Sequence, residues 1–258
     1  MRSEEIAVPE NKPFQFSIRT MLILITVVGV SLGILTSAVR KARDAVFTSV
    51  CNGRLCHLAI ALHNYHDEYK SFPPATISGP DGKPWHSWRT LLLPFIEQRS
   101  LYQEYRFDEP WNGPSNRALS GTPLNVFHCD ADTGPATNTS FVAVTGPGTM
   151  WPDGRGMNLS EISDGPENTI MIVEVTGSGI HWMEPRDLRI DEMVFEINGA
   201  KGNSISSRHF KGAVVAFADG HRELLDPETS AATLRKWLLT ADGADSPKSS
   251  DEMMLILK

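Results

Sequence analysis

From Thr20 to Val39 the chain runs twenty residues without a charge (TMLILITVVGVSLGILTSAV), between Arg19 and Arg40. At about 1.5 Å of rise per residue this run predicts a helix of roughly 30 Å, the thickness of one bilayer core. No proline or glycine follows until Gly53, so nothing in the sequence stops the helix at the end of the apolar run. Leu55, Leu58, Ala59, Leu62, Tyr65 and Tyr69 then recur at helical spacing and predict one buried stripe. Ser71-Phe72-Pro73-Pro74 ends the helix, because proline cannot continue it and restricts the residue before it.

Beyond the prolines the pattern shortens. Trp88–Tyr105 reads as two short helical pieces broken at Pro94, followed by turn-rich chain up to Val126. Strands are then expected at Ser140–Thr145, Thr169–Val175, Ser204–His209 and Ala213–Ala218. Asp219-Gly220 predicts a two-residue loop joining VVAFA to HRELL as a hairpin, with both residues at positive φ. A last helix is expected over Ala231–Leu239, capped by Thr229 or Ser230. The expected fold class is α+β, a long N-terminal transmembrane helix followed by an antiparallel sheet domain with short helices. The chain divides accordingly into a tail (1–19), a membrane helix (20–39) and a domain (40–258).

A net charge of −7 argues against nucleic acid or anionic headgroups as partners, since both require a basic face. The three cysteines, Cys51, Cys56 and Cys129, are too few for a disulfide scaffold and lack zinc-site spacing, leaving room for one disulfide outside the cytoplasm. A cleaved secretory signal competes with a retained anchor, because Thr36-Ser37-Ala38 supplies small residues. The run nevertheless exceeds a signal core of about 7–15 residues and continues into a helix. Arg2, Lys12 and Arg19 before the run balance Arg40, Lys41 and Arg43 after it, so charge alone does not orient it.

Three clusters carry candidate chemistry. His57, His63 and His66 include an i, i+3 pair on one helix face, but no acid or cysteine completes a metal set there, and the favoured reading is packing. His209 and Asp219, ten residues apart, would lie about 33 Å apart along an extended strand, which disfavours a catalytic dyad. Asp130 and Asp132 before Gly134 resemble the start of a calcium loop, yet Phe141 stands where its last acidic ligand belongs; an ordinary Asx turn is favoured. No nucleophile elbow, P-loop or dinucleotide fingerprint is present, and no cofactor or metal is expected.

The segment FSIRTMLILITVVGV…AVRKARDAV, the run CNGRLCHLAIALHNYHD, Phe72-Pro73-Pro74 and His209-x9-Asp219-Gly220 together resemble the pseudopilin-like H-X9-DG family. Its members resemble type II secretion pseudopilins at the N-terminus, carry a domain of unknown function, and are expanded in planctomycetes. Ser87-Trp88-Arg89, the run from Phe107 to Asn112, Phe127-His128-Cys129 and Ile162-Ser163-Asp164-Gly165 extend the likeness.

The resemblance implies a noncatalytic, single-pass inner-membrane protein with its C-terminal domain outside the cytoplasm. Its partners would be the bilayer and copies of itself or other pseudopilin-like proteins. It implies structural roles for His63, Asn64, Tyr65, His66, His209, Asp219 and Gly220, and a disulfide between Cys51 and Cys129. The departures matter too. A prepilin leader carries glycine before the cleavage point and glutamate four residues after the phenylalanine; laid on Phe16, those positions hold Gln15 and Thr20, so an uncleaved anchor is expected. Lys211 and Val214 stand where the family has a glycine and a strand asparagine. A rival reading is a tethered solute- or glycan-binding module that stacks its ligand on Trp85, Trp88, Trp111, Trp151 and Trp182.

Overall fold

The computed structural model describes residues 17–199 and 203–241; Gln15, Phe16 and most of the expected tail lie outside them. Helix α1, Ile18–Tyr69, is continuous. By contact the chain separates into two units, Met1–Arg43 and Asp44–Lys258. In the first, every described residue is solvent-exposed although most are apolar. Among the described residues, α1 is the helix long and apolar enough to cross a membrane.

In the second unit the fold is α+β. After α1 come β1 (Thr76–Ser78), β2 (Pro84–Ser87), α2 (Trp88–Leu91), α3 (Arg99–Glu104), α4 (Pro114–Leu119), β3 (Phe141–Val142), β4 (Val144–Thr145), β5 (Ile170–Glu174), β6 (Leu188–Arg189), β7 (Val194–Ile197), β8 (Ser204–Ile205), β9 (Ala213–Phe217), β10 (Arg222–Leu225) and α5 (Ala231–Leu238). The main sheet is antiparallel in the order β10-β9-β5-β3; β1-β2 form a separate hairpin, and β4-β6 and β7-β8 pair in parallel.

Strand β9 is apolar throughout because both its faces are covered. Val214, Ala216 and Ala218 pack with Leu55, Leu58 and Leu62 of α1, while Ala213, Val215 and Phe217 pack with Leu234, Trp237 and Leu238 of α5. In β5 a register shift between Ile170 and Ile172 turns Met171 and Ile172 toward the α1 face. Alternation then resumes, with Val173 and Val175 on the α5 face.

Several expectations are corrected in detail. The segment 140–145 is two strands rather than one, because the Ala143 N–H leaves the ladder to donate to Asp187 at 2.9 Å. The strand at Ser204–His209 shortens to β8. The β9–β10 loop holds three residues, since Phe217 N donates to His221 O at 2.9 Å and Gly220 N to Phe217 O at 2.9 Å. Gly220 alone supplies the positive φ, at 91°, and Asp219 does not share it. Ser230, not Thr229, caps α5 by accepting from Thr233 N.

Candidate functional site

Alternation from Val173 and Val175 puts the Glu174 side chain on the α1 face of the sheet, where an apolar residue would be expected. Cys51 of α1 and Cys129, just after the turn Asn125–Phe127, are joined there by a disulfide with their Cα atoms 5.2 Å apart. The loop ahead of β9 carries His209 to the same point. Its Nε2 lies 3.4 Å from Cys129 Sγ and 3.5 Å from Glu174 Oε1, and its Nδ1 lies 3.7 Å from Asp44 Oδ1. Asp44 also accepts from Phe210 N at 3.2 Å, which ties this loop to α1.

The side chains of Glu174 and His209 are fully buried. Val214 N donates to Glu174 Oε2 at 3.0 Å, while Glu174 Oε1 and His209 Nδ1 have no hydrogen-bond partner among the described residues. Burial pushes the Glu174 carboxyl up to about 8, against the donation from Val214. Burial likewise holds His209 below the ordinary imidazole value, with Asp44 opposing. Burial thus favours the uncharged form of both groups, side by side against a disulfide.

Gly212 keeps this loop against the sheet. Its φ is 134°, and a Cβ there would run into the Leu225 carbonyl oxygen, so no other residue fits without moving backbone. Lys211 is absent from the described residues with positive φ, so that position makes no demand for glycine.

The other singled-out residues lie elsewhere. His209 precedes β9 and Asp219 follows it, which puts them at opposite ends of that strand; Asp219 accepts from the N–H of His221 and contacts its ring at 2.6 Å. His209 thus stands at the open end of the β9–β10 hairpin, beside Glu174. His63 reaches the hairpin instead: a Cβ on Gly220 would lie 3.5 Å from His63 Nε2. His63 and His66 both pack on Phe72, with ring centroids 5.6 and 4.9 Å away, and Tyr65 packs on Tyr69 and Phe95. Burial, followed by repulsion from His66, lowers His63. Asn64 and His57 are exposed.

Asp130 pairs with Arg54 at 2.7 Å, whereas Asp132 accepts from Gly134 N in an Asx turn and also from Ser140 Oγ and Gly177 N, so the two carboxylates serve different partners. Trp88, Trp151 and Trp182 are core residues, leaving Trp85 and Trp111 half-buried.

Residues 40–158 match the model of a family described as a protein of unknown function (DUF1559). The stretch so matched, a little under half the chain, contains Cys51, His63, Arg89 and Cys129, whereas Glu174, Asp187, His209 and Asp219 lie beyond it. No curated protein and no solved structure matches the chain.

A second buried polar group lies apart from the first, and of it the sequence marked only Arg89, within Ser87-Trp88-Arg89. Arg89 of α2 meets Asp187 at 2.5 Å with both side chains shut off from solvent. Arg89 also donates to Ser87 Oγ at 2.9 Å, and Asp187 Oδ1 accepts from Ala143 N and, at 3.3 Å, from Trp88 Nε1. Burial pushes Asp187 up and Arg89 down, and their contact opposes both shifts. Glu174 and Arg89 share a signal that could have exposed them: each is a lone charge inside an apolar run, IMIVEV and WRTLLL.

Proposed function

We propose that this chain is a membrane-anchored, noncatalytic structural or assembly component of the pseudopilin-like H-X9-DG kind, with its N-terminus in the cytoplasm and its domain outside. One observation carries the reading. The helix whose first half is apolar and wholly exposed carries, in its second half, one buried stripe that joins the domain core, and Cys51 in that stripe is disulfide-bonded. Exposed apolar helix belongs in lipid, and structural disulfides persist in oxidising compartments.

The buried state of Trp88, Trp151 and Trp182 removes most of the stacking surface that the solute- or glycan-binding alternative relied on. A pocket of about 230 Å³ bordered by Thr76, Pro84, Thr145, Asp153, Pro185 and Arg189 is smaller than usual ligand pockets of about 300–1,000 Å³. Alkaline phosphatase fused after Lys258 tests the orientation: activity is expected, and a stably made but inactive fusion overturns it. Crosslinking in native membranes tests the assembly role, with self-adducts or adducts to other pilin-like chains expected.

A further inference from the structure

Sγ of Cys51 and Cys129, a ring nitrogen of His209 and a carboxylate oxygen of Glu174 all lie within 4.8 Å of one another, and all four residues are buried. A tetrahedral zinc ion, with bonds of about 2.3 Å to sulfur and about 2.0 Å to nitrogen or oxygen, spaces its ligand atoms roughly 3.3–3.8 Å apart. Cys129 Sγ to His209 Nε2 at 3.4 Å and His209 Nε2 to Glu174 Oε1 at 3.5 Å already have that spacing. Glu174 Oε1 is buried with no hydrogen-bond partner among the described residues, although its sister oxygen is held by Val214 N. A buried acceptor left over in this way is costly unless something occupies it. On the far side of the imidazole, Asp44 Oδ1 stands 3.7 Å from His209 Nδ1, where a carboxylate would orient a metal-bound histidine.

We propose that in its dithiol form the chain binds one zinc-class divalent cation through Cys51, Cys129, Glu174 and His209. The disulfide and the ion are then alternative occupants of one site. Opening requires a dithiol reductant: its two thiols pass two electrons and two protons to the S–S bond, leaving two cysteine thiols and the reductant's own disulfide. As the ion enters, the two thiols and the Glu174 carboxyl each release a proton to water, and the two sulfurs, the carboxylate oxygen and the neutral imidazole nitrogen form bonds to the metal. The sulfur-to-sulfur distance must widen to about 3.8 Å, while the histidine and carboxylate edges are already set. Cys56, which is not disulfide-bonded, takes no part.

The test uses the full-length chain in detergent, kept anaerobic with a dithiol reductant and titrated with cobalt(II), then zinc. Native mass spectrometry should show one metal per chain in the reduced protein and none in the disulfide form. Cobalt should give the visible bands of a tetrahedral site together with sulfur-to-metal charge transfer, and zinc should bleach both. H209A and E174Q should each weaken binding at least tenfold, and D44N by about tenfold with the spectrum kept. If the reduced chain loses its fold, zinc should restore it. A reduced protein without stoichiometric metal, a chain that stays unfolded in zinc, or a cobalt spectrum indifferent to H209A and E174Q overturns the proposal.

Discussion

Arg89 and Asp187 meet in the core as ions, whereas Glu174 and His209, equally buried, meet as neutral groups. The difference lies in their donors. Asp187 Oδ1 receives a guanidinium, a backbone N–H and an indole N–H, and arginine keeps its proton under all ordinary conditions. Glu174 is offered one backbone N–H, the Ser207 hydroxyl and an imidazole 3.5 Å away, and without a guanidinium among them burial still pushes its carboxyl up. The first pair fastens α2 to the segment ahead of β6, and the second leaves polar atoms free beside a disulfide. Each leaves buried polar atoms without a hydrogen-bond partner among the described residues, Arg89 Nε and Asp187 Oδ2 in the first and Glu174 Oε1 and His209 Nδ1 in the second, but only the second stands beside two sulfurs.

Breaking the ion pair should have the largest effect. Asp187→Ala strands the buried Arg89 charge and should cost about 3–5 kcal/mol in urea denaturation of the full chain, while Arg89→Met with Asp187→Leu should recover most of the loss. Cys129→Ser comes next: opening a loop whose ends are 78 residues apart should cost about 3–4 kcal/mol under oxidising conditions and nothing further once reductant is present.

Glu174→Gln sharpens the contrast through pH. In the disulfide form Glu174 holds its proton until about pH 8, while the unfolded chain releases it near 4.5, so unfolding releases a proton between those limits and stability falls as pH rises. The lowered His209 works in the opposite sense and only below 6.5, so the window from pH 6.5 to 8 isolates the glutamate. Wild type should lose about 2 kcal/mol across that window relative to Glu174→Gln, read from urea midpoints. A parallel pH dependence in the two proteins would mean that Glu174 is ionised and the contrast with Asp187 is false.

At the far end of β9, Gly220→Val should cost about 1–2 kcal/mol, because φ is 91° there even though His63 leaves room for a Cβ. Asp219→Asn should change thermal stability by less than about 0.5 kcal/mol, since an amide oxygen still accepts from His221 N.

The long helix and the β9–β10 hairpin were legible because each is written in neighbouring residues: a charge-free run, a helical stripe, an Asp-Gly turn. The short parallel pairs β4-β6 and β7-β8 were not, since two- to four-residue strands carry too little periodicity and their partners are set by tertiary contact. The site was legible only in part. Cys51, Cys129 and His209 stood out by type or motif, but Asp44 of α1, Glu174 of β5 and Asp187 ahead of β6 acquire meaning only once folding brings them to partners far along the chain. The β5 bulge decides which face Glu174 occupies, and no local pattern announces it.

The burial of α1 against β5 and β9 also sets a timetable. Leu55, Leu58 and Leu62 are synthesised early, yet the strand that covers them ends at Phe217, roughly 150 residues later, or on the order of 10–30 s at ordinary translation rates. Through that interval the stripe has no sheet to rest on. Cys129 emerges well before Glu174 and His209. Whether the two sulfurs join first or wait for the rest of their surroundings is thus a race between oxidation and the ribosome.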